Sequence, residues 1–332
     1  MVSYMPLLHE GGPPGNRSPA ARALDLQLYH QGPPVKRSRT AHIIAAAIAC
    51  LFWSGSLIAS KLSYDTLAPM SLGLIRFSLA TACFFVLWAT IGDRQVPDAR
   101  GMASIALTGI LGTTLYFAGE NYGVQMLPAS TGSLIVGSFP AMTLALECFI
   151  DKTRPQPLKT LGIALAFVGV AVLALTESSE GGTDVALGSL TLLFGGLCWA
   201  LYNFAMRLVM GTYSTLTITC WQTLFGALGF IPFMMWEGLP QTLPSATAWA
   251  SLAYLVLGCT VVGFVLYNWG LKDLEPSTAT SLSNLIPVFG LVLSALILHE
   301  QISAQQLIGG AIVVAGIVLS TSERSQDAGN GA

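Results

Sequence analysis

Ten mainly apolar runs of about 20 residues follow one another along this chain, at about 41–61, 68–91, 102–124, 128–150, 158–176, 187–208, 214–236, 248–271, 276–298 and 304–321. A helix needs about 20 residues to cross the hydrocarbon core of a bilayer, so each run is long enough. Within hydrocarbon, backbone N–H and C=O groups must be satisfied inside the element, which leaves helices and closed barrels. The runs are too long, and alternate too weakly, for barrel strands. The fold class read from the chain is therefore all-α and integral to the membrane, with ten transmembrane helices. Composition agrees. Only 10% of residues are charged, against about 25% in soluble domains, too few to clothe a water-facing surface of this size.

The links hold turn formers: Gly92-Asp93, Arg154-Pro155-Gln156-Pro157, Gly181-Gly182, Gly238-Leu239-Pro240 and Glu275-Pro276. Residues 1–40 differ from the rest. They carry Gly11-Gly12-Pro13-Pro14 and Gly32-Pro33-Pro34, with Lys36, Arg37 and Arg39 before the first run. Such a segment buries too little to order itself and reads as a disordered cytoplasmic tail. The first run has spanning length and no small-residue cleavage site, so it reads as a retained anchor rather than a signal peptide. Residues 322–332 read as a second cytoplasmic tail.

Lysine and arginine set the direction of insertion. With the amino terminus in the cytoplasm, thirteen cations fall on that side: Arg17, Arg22, Lys36, Arg37, Arg39, Arg94, Arg100, Lys152, Arg154, Lys159, Arg207, Lys272 and Arg324. Lys61 alone falls outside, and Arg76 lies within the second run. The outer loops carry Glu177, Glu180 and Asp184. Trp88, Trp236, Trp249 and Trp269 fall near run ends, where interfacial aromatics collect. The expected location is the inner (plasma) membrane, with both termini cytoplasmic.

The two halves align with each other. At an offset of 147, residues 104–173 run onto 251–320 without a gap, matching Ser104 to Ser251, Phe117 to Phe264, Asn121 to Asn268, Pro140 to Pro287 and Gly169 to Gly316. At an offset of 146, Leu51-Phe52-Trp53 meets Leu197-Cys198-Trp199, and Lys61 meets Arg207. Five helices per half is odd, so the second half enters from the opposite side. The expected units are 41–176 and 187–321, two inverted five-helix repeats. Inverted repeats are a hallmark of secondary transporters, whose one pathway opens alternately to two sides; duplication for stability alone is the alternative.

The chain resembles the drug/metabolite transporter superfamily in its ten-helix EamA-type branch. The resemblance covers about 41–321. It rests on Leu51-Phe52-Trp53-Ser54, Leu74-Ile75-Arg76-Phe77, and Ala129-Ser130-Thr131 leading to Pro140. In the second half it rests on Pro276-Ser277-Thr278-Ala279 leading to Pro287, His299-Glu300-Gln301, Gln306-Leu307-Ile308-Gly309-Gly310 and Ala315-Gly316. It implies a permease for small organic solutes such as amino acids or related metabolites, often moving them outward.

Ionisable side chains at lipid depth are functional candidates by default. They are Arg76, Glu120 and Glu147. Arg76 and Glu120 sit in the outer halves of the second and third runs, within reach if those helices are neighbours. Arg76 would hold a substrate carboxylate and Glu120 an ammonium or a coupling proton; the structural alternative is an ion pair between them. Glu147 reads as reaching toward Lys152 or Arg154 at the cytoplasmic interface. Trp53 and Trp199 fall near mid-span across the repeat axis, where a carrier places its substrate. Tyr116, Asn121, Tyr202, Asn203, Gln222, Tyr267 and Asn268 add hydrogen-bonding groups that should turn from lipid toward a cavity or a neighbouring helix. Pro140 and Pro287 lie within the fourth and ninth runs, where symmetric kinks would act as gates or simply set the shape of the helices. The glycines of the fifth and tenth runs suit close packing.

Other chemistries lack their signatures. Cys50, Cys83, Cys148, Cys198, Cys220 and Cys259 sit singly in apolar runs, with no CxxC spacing. His9, His30, His42 and His299 are scattered. No P-loop, GxSxG or dinucleotide fingerprint occurs. The expected partners are a small-molecule substrate and the lipid bilayer, with no nucleic acid, metal or cofactor, as monomer or homodimer. The competing readings are a membrane-embedded enzyme and a sensor without transport; flux of solutes into proteoliposomes separates them from a carrier.

Overall fold

The computed structural model describes residues 39–150, 152, 156–181, 183–238, 243–271 and 285–321. The tails, most of the link at 151–155, and residues 272–284 with Glu275-Pro276 and Ser277-Thr278 lie outside the described residues.

The described residues are helical throughout, apart from short links. Seven helices are long and apolar enough to cross a membrane: Thr40–Ser63, Pro69–Ile91, Ala99–Met126, Ala129–Ile150, Asp184–Met206, Thr215–Glu237 and Ala246–Tyr267. Shorter apolar helices occupy Pro157–Leu173, Leu285–Ile297 and Ala304–Ser320, within the remaining three runs.

Several helices are interrupted. The first comprises α1 (Arg39–Ser54) and α2 (Ser56–Ser63), separated at Gly55. After α3 (Pro69–Ile91), α4 (Ala99–Gly109) passes through a π-helical segment (Ile110–Leu115) into α5 (Tyr116–Met126). The fourth run is two helices, α6 (Ala129–Gly137) and α7 (Phe139–Ile150). Next come α8 (Pro157–Gly181), α9 (Thr183–Met206) and α10 (Thr215–Glu237). In the eighth run, α11 (Ala246–Ala253) passes through a second π segment (Tyr254–Val262) into α12 (Gly263–Leu271). The described chain closes with α13 (Leu285–Ile297) and α14 (Ala304–Thr321).

The repeat seen in the sequence recurs as structure. Helices α3 and α10 are both 23 residues long, displaced by 146. Shifted by 147, the first π segment falls inside the second. Asp98 caps α4 by accepting from Gly101 N (2.9 Å), and its counterpart Ser245 caps α11 by accepting from Ala248 N (3.0 Å). The Tyr213 hydroxyl donates to Asp98 (2.7 Å), while Ser245 donates to Asp65 (2.6 Å) and its N–H to Thr66 (3.0 Å). Lys152 and His299, also 147 apart, share a left-handed backbone, with φ of 51° and 55°.

Helices pack in pairs: α3 with α10, α5 with α9, α6 with α13, α8 with α14 and α2 with α11. Among lipid tails apolar burial drives little association, so close backbone approach matters. A Cβ at Gly169 would lie 2.7 Å from Val313 N, and one at Gly316 would meet Ala166 N more closely still from the other helix. Large apolar side chains such as Phe149 and Leu190 remain exposed on the protein, as a lipid-facing surface requires.

Helices α3 and α10 run antiparallel and are joined at both ends. The Glu237 carboxylate accepts from Met70 N (3.0 Å) and Ser71 N (3.1 Å), satisfying donors at the start of α3. At the other end, Thr217 of α10 donates to Asp93 (2.7 Å). Glu300 likewise caps α6 through Ala129 N (2.8 Å) and Ser130 N (3.0 Å).

The prolines need a correction. Pro140 is not inside a continuous helix; the break falls at Ser138 and Pro140 is the second residue of α7. Proline is tolerated there because the N–H it lacks would have no partner in the first turn. Pro287 is the third residue of the described part of α13, and a Cβ at Gly137 would lie 3.1 Å from its ring. The two proline sites therefore adjoin. Among the described residues, Pro232 of α10 does lie within a helix.

Candidate functional site

Arg76 and Glu120 lie where α3, α5 and the second π segment meet. Arg76 of α3 is 5% exposed. Its Nε and Nη2 donate to Thr260 Oγ1, each at 3.4 Å, and the guanidinium carbon stands 4.6 Å from the Phe117 ring centroid and 5.1 Å from that of Phe77. These are cation–π distances. The Thr260 hydroxyl donates to the Leu255 carbonyl (2.8 Å), five residues back, the spacing of a π turn. Its oxygen is thereby turned toward Arg76.

Glu120 of α5 is 3% exposed. Tyr116, one turn earlier, donates to its Oε2 at 2.5 Å, and Oε1 has no hydrogen-bond partner. Among the described residues no ion pair joins Arg76 to Glu120. The structural alternative, an ion pair between them, is not formed, because the guanidinium turns to Thr260 and the rings. A buried cation and a buried acid thus lie on adjacent helices, near enough to interact electrostatically and not in contact.

Trp53 and Trp199 stand at the two ends of a continuous row. The Trp53 indole donates to the Cys259 carbonyl at 3.0 Å, and Thr260 follows Cys259. Arg76 bridges Thr260 to Phe117; Phe117 meets Tyr116 at 4.5 Å between centroids, and Tyr116 meets Trp199 at 5.2 Å. Tyr267 stacks beside Trp53 (4.8 Å) and Tyr202 beside Trp199 (5.0 Å). Gln222 of α10 faces Tyr202. Every aromatic and amide in this row is half-buried or buried.

Two candidates act as ties between or within helices. Asn121 Nδ2 donates to the Pro69 carbonyl (3.0 Å), joining α5 to the start of α3. Asn203 Nδ2 donates to the Trp199 carbonyl one turn back (2.8 Å). The side chain of Asn268 lies outside the described residues. Glu147 pairs with Arg207 (2.8 Å) instead of reaching Lys152, because α7 packs on α9 and brings the two together. Lys61 donates to the Leu127 carbonyl at the end of α5. A groove of about 520 Å³ lies between α1–α2, the start of the eighth run and α13, lined by apolar residues such as Leu51, Phe52 and Leu293.

Sequence reasoning missed Thr260, Phe77, Phe117 and Tyr64, whose hydroxyl donates to the Asn121 carbonyl (2.9 Å). A signal for Thr260 was available, because the gapless repeat sets it against Thr113. The repeat also exposes an asymmetry. Arg76 corresponds to Gln222 and Glu120 to Tyr267, so the charged pair belongs to the first half alone.

Comparison with known proteins agrees with the fold and its duplication. The model of the EamA-like transporter family matches twice, at residues 40–175 and 186–322. The chain belongs to this family. Curated relatives include an uncharacterized transporter of Archaeoglobus fulgidus, 26% identical over 84% of this chain and 97% of its own length. A probable terminal-alkyne amino-acid exporter of Streptantibioticus cattleyicolor is 26% identical over 83% of this chain and 91% of its own length. A probable amino-acid metabolite efflux pump of Salmonella typhimurium is 27% identical over 83% and 93%. One solved crystal structure superposes with a TM-score of 0.59 over 85% of this chain and 96% of that chain, at 18% identity, a likeness of fold. The EamA-like chain is thus a multi-pass membrane protein of a transporter family.

Proposed function

We propose that this EamA-like protein is a secondary carrier that exports amino acids or related small metabolites across the plasma membrane. Its two five-helix halves, 41–176 and 187–321, enter from opposite sides, cross ten times in all, and alternate access to one central site. Both termini lie in the cytoplasm. The antiparallel packing of the repeat-equivalent helices α3 and α10 supports the inversion, and relatives named as amino-acid exporters support the cargo.

The observation that carries the reading is Arg76: a buried guanidinium at lipid depth, flanked by aromatic faces, with no carboxylate in contact among the described residues. A buried charge of this kind calls for a partner, and a substrate α-carboxylate supplies one. The free Oε1 of Glu120 then accepts from the substrate ammonium. Tyr116, Trp199, Tyr202, Trp53, Tyr267 and Gln222 wall the side chain, and Asn121 and Asn203 hold the helices that carry them. The break at Ser138 beside Pro140, abutting Pro287, is the gate.

Counterflow of radiolabelled amino acids in proteoliposomes tests this. Amino acids are expected to exchange, and the corresponding amines, which lack the carboxylate, are expected not to compete. Competition by the amines at the same concentration would remove Arg76 from recognition, and no exchange with any of the twenty would remove the carrier reading.

A further inference from the structure

We infer that Glu120 is also the site of the coupling ion, that this ion is a proton, and that proton and substrate ammonium compete for one oxygen of its side chain. The inference rests on the carrier reading and adds what drives it.

Two oxygens of one carboxyl group have different fates. Oε2 is held by the Tyr116 hydroxyl at 2.5 Å, whereas Oε1 is buried with no partner. A carboxylate so placed, with a single hydrogen bond and no cation in contact, is costly at lipid depth. Two things relieve it at the free oxygen: a covalently bound proton, or the N–H of an ammonium. They cannot occupy it together. The Tyr116 bond fixes the carboxyl group so that the same oxygen is always the one presented.

The surroundings do not supply a third solution. From α3 the ionisable group near Glu120 is Arg76, which is turned to Thr260. Tyr64, in the link after α2, is committed to the Asn121 carbonyl. The second π segment presents Cys259, whose thiol donates to the Phe52 carbonyl at 3.1 Å. From α2, Lys61 reaches the Leu127 carbonyl at the end of α5; on α9, Gly195 packs against the backbone at Glu120; and α6 and the first π segment contain no ionisable residue.

Mutual exclusion on one atom is antiport. A zwitterion leaving outward frees Oε1 for an external proton; the proton travels inward on Glu120 and is released when the next ammonium arrives. Because the repeat counterpart of Glu120 is the neutral Tyr267, one proton moves per cycle. The substrate carries no net charge, so each cycle moves one positive charge inward, and export responds to membrane potential as well as to pH.

The test uses the full chain in proteoliposomes with the twenty radiolabelled amino acids as probe. In counterflow at equal pH on both sides, the half-saturating concentration of the unaltered protein is expected to rise as pH falls, tenfold per pH unit once the proton dominates. Glu120→Gln, which keeps an accepting oxygen and takes no proton, is expected to exchange more weakly and with no pH slope. It is also expected to lose uphill accumulation under an imposed pH gradient. A flat profile in the unaltered protein, or an unchanged slope in Glu120→Gln, overturns the proton site while leaving the carrier intact. Absence of exchange by the unaltered protein overturns the carrier reading and the proton site with it. Should Glu120→Gln fail to fold, Tyr116→Phe serves: loss of its bond to Oε2 is expected to move the pH midpoint of exchange, and an unmoved midpoint overturns the inference.

Discussion

At the scale of single residues, the proposed carrier site rests on two buried charges, Arg76 and Glu120. Arg76, Glu120 and the mid-run aromatics were all legible, because ionisable and large amphipathic groups stand out against apolar sequence. Their partners were not. Nothing in the order of residues says that Arg76 turns to Thr260, 184 positions away, rather than to Glu120 on the neighbouring helix. Replacement of Arg76 by alanine is expected to raise the half-saturating concentration of an amino-acid substrate by about 10- to 100-fold, as loss of about 1.5–3 kcal/mol of charged hydrogen bonding implies. Counterflow measures this. Arg76→Lys is expected to recover only part of the loss, because a lysine ammonium cannot match the planar fork that grips a carboxylate. Full recovery would place the role in charge alone.

At the scale of elements, ends and interruptions matter more than the helices between them. Hydropathy located the runs, yet the breaks at Gly55 and Ser138 and the two π segments left no mark on it, since they change hydrogen bonding without changing polarity. The π segments fall at equivalent places in the two halves, and the second turns Thr260 toward Arg76. The packing of α8 on α14 is a separate matter of space. Gly169→Val is expected to cost about 1–3 kcal/mol by overpacking against Val313, read as a lower melting temperature in detergent. Gly211 has φ of 81° and nothing within 4 Å, so Gly211→Ala is expected to strain the backbone locally and disturb no neighbour. A larger loss at Gly211 than at Gly169 would contradict this account.

At the scale of the whole molecule, the links tie the halves to each other. Bonds from Tyr213 and from the Gly101 N–H hold Asp98 below the usual carboxylate range, Thr217 does so for Asp93, and Ser245 for Asp65. A folded-state value below the unfolded one means that the stabilisation is present above the ordinary aspartate value of about 3.9. It is lost as pH falls through the lower folded values. Melting temperature is therefore expected to be insensitive to these three groups at neutral pH and to fall below about pH 4, less steeply in Asp98→Asn. The same links report topology. In an otherwise cysteine-free chain, a cysteine replacing Asp65 is expected to react with an impermeant maleimide on intact cells, and one replacing Arg94 only after permeabilisation. Labelling of both from outside would refute the crossing of α3 and with it the proposed topology.

Sequence by itself determined the membrane setting and the duplication, because each follows from local quantities: run length and internal identity. It also picked out Arg76 and Glu120, because ionisable residues are rare within apolar runs. Only the tertiary structure decided which of these touch. It parted the two charges, set Trp53 and Trp199 at the ends of one row, and left one carboxyl oxygen of Glu120 without a partner. Contacts between helices hundreds of residues apart depend on how glycines, breaks and π turns rotate each face, and no run of apolar letters records that rotation.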